Sequence, residues 1–181
     1  MPRQRDGRRQ PGRPRHGPRS TLLTEAQALA ADLPDDDPAV RVLAANSNNI
    51  AASLRDLAPL EPAPRELMLR AARAARTQWK RAGTWLEVER AEYRLAVCHL
   101  AAGDPVQALR HAELCDCVVR ENGSAPLEVF FAAEALCLSA RALGDAAAGT
   151  AHLAAARQAF DALPASDQAW CRATLDKLEG S

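Results

Sequence analysis

Part of this 181-residue chain returns 41 residues later. Leu86-Glu87-Val88 comes back as Leu127-Glu128-Val129, and Gly103-Asp104 as Gly144-Asp145. Ala91, Leu95, Ala101 and His111 return as Ala132, Leu136, Ala142 and His152. These nine identities over residues 86–115 exceed the roughly three that an Ala-rich text gives by chance. A repeat of this period constrains the fold more than anything else here. Each unit buries its apolar face only against its neighbours, so the units stack into a solenoid. Aromatics make up 4% of the chain and apolar residues 48%, so the core must be Leu, Val and Ala. Small Ala faces suit closely packed helices.

Punctuation and periodicity predict helix after helix and no strand. Leu22, Leu23, Ala26, Leu29 and Ala30 recur at helical spacing until Pro34-Asp35-Asp36. Asp37-Pro38 supplies an N-cap and a Pro at the first helical position. The helix it opens runs to about Leu57, with Val42, Leu43, Ile50, Leu54 and Leu57 on one side. A third helix starts at Pro64 and ends at Gly83. Thr84-Trp85-Leu86-Glu87 is a capping box for the fourth, which Gly103 terminates. Asp104-Pro105 opens the fifth, ended by Asn122-Gly123; Pro126–Leu143 and Ala146–Leu163 repeat the pair. Ser166 or Asp167 caps an eighth helix carrying Trp170, Leu175 and Leu178.

The zero net charge hides an asymmetry. Residues 1–20 carry seven Arg against one Asp, and the rest carries 16 basic and 22 acidic side chains. Residues 1–19 hold no hydrophobic residue beyond Met1, so the expectation is a disordered tail. It reads as an Arg-rich segment for phosphates of RNA or DNA, as a plain solvated tail, or as GC-rich text upstream of a later start. The apolar runs are too short for a transmembrane helix or a secretory signal. Five cysteines at 98, 115, 117, 137 and 171 have no framework spacing and read as reduced thiols of a cytoplasmic protein.

Leu95-Ala96, Gly103-Asp104, Ala108, Ala112 and Cys115 follow a spacing of large apolar, small, helix-ending and small packing residues. This spacing resembles tetratricopeptide repeats. Ser47-Asn48-Asn49-Ile50-Ala51 resembles the Asn-Asn-Leu-Ala signature of their longer variants, of roughly 42 residues. The chain departs from the family in an insertion at Pro59–Ala63 and in Gly149 at a usual Ala position. The resemblance implies an all-α, right-handed α-solenoid of antiparallel helix pairs over 20–181. Its units fall at about 37–83, 84–123 and 124–163, with capping helices over 20–33 and 166–179.

In the family the first helix of each pair lines a concave groove that holds a peptide. Carried onto this chain, the groove residues are Asn48, Asn49 and Ala52 in unit one. In unit two they are Arg90, Tyr93, Arg94 and Val97, and in unit three Phe131, Glu134, Leu138 and Arg141. An Asn amide can bond a peptide backbone whatever its side chains, and two Arg one turn apart could grip a carboxylate. The alternative is that the Asn residues serve internal packing and the Arg residues pair with Glu87, Glu89, Glu92 or Glu134. Of Phe130-Phe131, one should enter the core and the other the groove, since neighbours on a helix point about 100° apart.

His111, Cys115 and Cys117 superficially resemble metal ligands, but Cys115 falls on a packing position and no Cys-x-x-Cys completes four ligands. No Gly-rich phosphate loop, nucleophile elbow or His-Glu-x-x-His motif is present. The expectation is a non-enzymatic module without metal or cofactor, binding a peptide or helix of a partner protein. The alternative is a nucleic-acid-associated adaptor that works through residues 1–19.

Overall fold

The computed structural model describes residues 18–123 and 125–180, so most of the Arg-rich tail, and its nucleic-acid reading, lies outside the described residues. The described chain is all-helical. Its eight helices are α1 (Pro18–Ala31), α2 (Pro38–Arg55), α3 (Pro62–Ala82), α4 (Trp85–Ala101), α5 (Pro105–Glu121), α6 (Pro126–Ala142), α7 (Ala146–Asp161) and α8 (Ala165–Gly180). None is long and apolar enough to cross a membrane.

The Gly-Asp pair that repeats along the chain closes one helix and opens the next. At Gly103 (φ 78°) the backbone turns left-handed, the Asp104 N–H reaches back to the His99 carbonyl (2.9 Å) and the Gly103 N–H to Leu100. The Asp104 carboxylate then accepts the Gln107 amide (3.2 Å) at the start of α5. One repeat later Gly144 (φ 80°) and Asp145 do the same, with bonds to Ala140 and Arg141 and an Ala148 amide on the Asp145 carboxylate at 2.9 Å. Two orphan carbonyls and one orphan amide are thereby satisfied within two residues. The Thr84–Glu87 capping box is present, with Glu87 Oε2 accepting from the Thr84 amide at 2.8 Å. Asp37 caps α2 through the Ala39 amide at 2.8 Å.

Packing is closest within α2–α3, α4–α5 and α6–α7, and each helix also meets the next in sequence. The even-numbered helices touch in succession, α2 to α4, α4 to α6 and α6 to α8. Among the described residues, no helix packs on one more than two places away. The core is correspondingly a string of local clusters. Leu23, Ala51, Met68, Leu95 and Cys98 join α1 to α4, while Phe130, Cys137, Phe160, Leu175 and Leu178 join α6 to α8. Leu95, Ala108, Ala112 and Cys115 are all buried, as their spacing requires.

The large apolar residues mislead on α1 and α2. The buried face of α2 is Val40, Ala44, Ser47 and Ala51, whereas Val42 and Leu57 are exposed and Leu43 and Leu54 are only partly buried. α2 packs mainly on α3, whose buried residues include Ala71, Ala72, Ala74 and Ala75, and small residues on both helices suit close packing. On α1, Leu23 and Ala30 are buried but Leu22 and Leu29 are exposed. The break between α2 and α3 is shorter than expected, because Pro62 and Ala63 already belong to α3.

Gly149 has a specific cause. A Cβ there would lie 2.9 Å from Cγ of Arg141, whose side chain crosses α7 to donate to the Leu178 carbonyl near the end of α8 (2.6 Å). The missing side chain on α7 makes room for the strap that fastens α8.

Candidate functional site

A groove of about 970 Å³ runs along one side of α2, α4, α6 and α8. Helical spacing explains which residues reach it. Arg90, Tyr93, Arg94 and Val97 fall at steps of three and four along α4, as do Phe131, Glu134 and Leu138 along α6. Arg90 and Phe131, Tyr93 and Glu134, and Val97 and Leu138 are each one repeat apart, so stacked helices present equivalent positions side by side. One such pair is bonded: the Tyr93 hydroxyl donates to Glu134 Oε2 at 2.9 Å. Between α2 and α4, the Arg94 Nε donates to Asn48 Oδ1 at 3.2 Å.

Eight of the eleven expected groove residues line this surface: Asn48, Arg90, Tyr93, Arg94, Val97, Phe131, Glu134 and Leu138. Asn49, Ala52 and Arg141 do not. Asn49 is one step of about 100° further round α2 and is exposed. Arg141 is drawn away over Gly149 to α8. Phe130 and Phe131 divide as their neighbouring positions demand, Phe130 in the core and Phe131 on the groove.

The fourth helix of the lining has no counterpart in the repeated text. α8 contributes Trp170, Thr174, Lys177 and Leu178. Trp170 is 66% exposed rather than part of the apolar face, which is Cys171, Leu175 and Leu178. Its ring meets Phe131 edge-on at 5.4 Å, and Phe131 meets Tyr93 in the same manner at 5.4 Å, so an aromatic row crosses α4, α6 and α8. Arg55 and Asp56, at the end of α2, close the lining on that side as an ion pair with Nη2–Oδ1 at 2.5 Å.

The groove's charges are unequally partnered. Arg90 pairs with Glu128 of α6 at 3.0 Å, with none of the acids expected from the sequence. Arg94 bonds the neutral Asn48, and burial and the neighbouring Arg55 guanidinium lower its pKa. Burial raises the Glu134 carboxyl against the opposing hydrogen bond from Tyr93, and burial also raises the Tyr93 phenol. Glu89 is buried at 1% exposure, and burial pushes its pKa from 4.5 up to about 7. Its Oε1 accepts from the Cys115 thiol at 2.9 Å.

The His and Cys residues that superficially resemble metal ligands are engaged with carboxylates. His111 Nδ1 lies 2.7 Å from Glu92 Oε2, and Arg76 donates to Glu92 Oε1 at 2.5 Å, so this buried acid ties α3, α4 and α5 together. The His99 and His111 rings stack at 5.5 Å. Glu89 and Cys115 form the second contact of this kind between α4 and α5. No family model, curated protein or solved structure matches this chain.

Proposed function

We propose that the chain is a tetratricopeptide-like, right-handed α-solenoid that acts non-enzymatically, holding an extended peptide or a helix of a partner protein in the groove of α2, α4, α6 and α8. The observation that carries this reading is the groove itself: about 970 Å³, with apolar Val97, Phe131, Leu138 and Trp170 interleaved with Asn48, Arg94 and Lys177. A peptide needs both components, apolar surface for its side chains and donors for its backbone carbonyls or carboxylates. Helix contacts that, among the described residues, reach no further than two places along the chain, and the Tyr93–Glu134 hydrogen bond between positions one repeat apart, support the superhelical arrangement.

Capture from the source lysate by the purified chain, read by mass spectrometry beside a Trp170→Ala/Lys177→Ala variant, tests the proposal. Both side chains are exposed, so the variant keeps its fold. Partners should be retained by the natural chain and lost from the variant, and a synthetic peptide of the captured segment should compete. An unchanged set of captured proteins would place binding elsewhere.

A further inference from the structure

Among the described residues, three buried side-chain atoms have no hydrogen-bond partner: Ser47 Oγ, His99 Nδ1 and Glu89 Oε2. Only Glu89 is a carboxylate, and of the three residues only Glu89 lines the groove. The position one repeat on is Phe130, fully buried in the core, and the groove does not reach it. At Glu89 the same position holds a slimmer, acidic side chain, and the groove extends to it.

The surroundings are short of donors. The Cys115 thiol on Oε1 is a weak one. The adjacent guanidinium, Arg90, is engaged by Glu128, whose own charge repels that of Glu89. Two carboxylates therefore share one cation, and one oxygen is bare. A buried carboxylate normally has a charged or hydrogen-bonded partner.

We infer that a Lys or Arg side chain of the bound peptide supplies that partner, entering beside the Arg90–Glu128 pair and seating its nitrogen on Glu89 Oε2. The inference rests on the groove being a peptide site. A slender aliphatic stem ending in a cation suits the place, because the oxygen lies beneath the groove wall and the neighbouring acid adds to the local negative charge. Burial, with the Glu128 charge adding to it, raises the side chain's proton affinity, and a cation seated on it would oppose that rise.

The test is selection of a random peptide library on the full chain, followed by binding measurements with the best sequence. Groove binders are identified by their loss on Trp170→Ala. They should share a Lys or Arg at one position. Norleucine in place of that Lys should weaken binding about tenfold or more to the natural chain and have little further effect on Glu89→Gln. The peptide-side substitution is read on the unaltered protein, so it stands even if Glu89→Gln folds poorly. Groove binders without a fixed basic position overturn the inference and leave the groove reading intact. So does a basic residue whose removal costs the same in Glu89→Gln. If selection yields no peptide sensitive to Trp170→Ala, the groove reading falls, and this inference with it.

Discussion

Replacing Glu89 by Gln should stabilise the protein, and increasingly so as pH rises from about 4.5 to 7. The carboxyl binds its proton with a pKa of about 7 in the folded chain, against 4.5 for an ordinary Glu. Between these values the native state holds a proton that the unfolded chain releases, so stability falls as pH rises through this window and levels off above it. At about 1.4 kcal/mol per tenfold in proton affinity, the ionised side chain destabilises the fold by about 3 kcal/mol at pH 8. Gln has nearly the same shape, can still accept from Cys115 and carries no charge. Urea unfolding of both proteins between about pH 4.5 and 8.5 gives the difference curve. It should start near zero, or slightly against Gln because the amide nitrogen replaces an oxygen with no partner, climb by about 3 kcal/mol between about pH 4.5 and 7, and level off above. Taking the difference cancels the other titrations. These include Glu92, held below the ordinary range because bonds from His111 and Arg76 outweigh its burial, and His99, pushed down by burial. A difference that stays flat with pH would mean that burial does not shift the Glu89 carboxyl, and nothing would then call for a cation beside it.

Leu95→Asp should unfold the chain, since an unpaired carboxylate at a 1% exposed position costs several kcal/mol; Asn49→Ala, by circular dichroism melting, should change stability by less than about 1 kcal/mol and leave the captured partner bound. Gly149→Ala should cost about 1–3 kcal/mol through the 2.9 Å approach to Arg141, and most of that cost should vanish in an Arg141→Ala background, as denaturant titrations of the double-mutant cycle would show. Of the five thiols, Cys117 should react with a disulfide reagent first, because Cys98, Cys115, Cys137 and Cys171 are buried and burial pushes the Cys98 pKa up to about 11; rapid labelling of Cys115 in the native protein would contradict the packing of α4 on α5.

Helix boundaries were legible because local chemistry sets them. Gly103-Asp104 and Gly144-Asp145 need only their own neighbours to close one helix and cap the next, so a one-dimensional reading finds them. The buried faces were less legible where small residues do the packing. Hydrophobic pattern favours Val42, Ile50 and Leu57 over Ala44, Ser47 and Ala51. Yet the buried residues of α2, and of α3 on which it mainly packs, are mostly small, and hydropathy weighs such side chains lightly. The large residues are then left outside. Gly149 likewise read as a departure from a repeat, because its reason, the Arg141 strap, reaches α8.

The groove divides along the same line. Residues at repeated positions could be placed from sequence, because a 41-residue period carries a groove position on one helix to a groove position on the next. α8 lies outside the period, so Trp170 and Lys177 could not be assigned in this way. Glu89 was hidden for a different reason. On α4 alone a Glu followed by Arg reads as a solvated ion pair, and the groups that act on it, the Cys115 thiol 26 residues on in α5 and the Glu128 charge in α6, belong to other helices. The repeat still holds the clue, since its register sets Glu89 against Phe130. A position that is core in one unit and acidic in the next breaks the pattern where stability alone would keep it. If a partner's cation offsets that burial, the complex should lose the pH-dependent destabilisation that the free chain carries. Unfolding curves taken with the selected peptide at saturation should then show no fall in stability between about pH 4.5 and 7 beyond that of Glu89→Gln with the same peptide. A fall that persists at full strength in the complex would leave Glu89 a buried acid with no place in recognition.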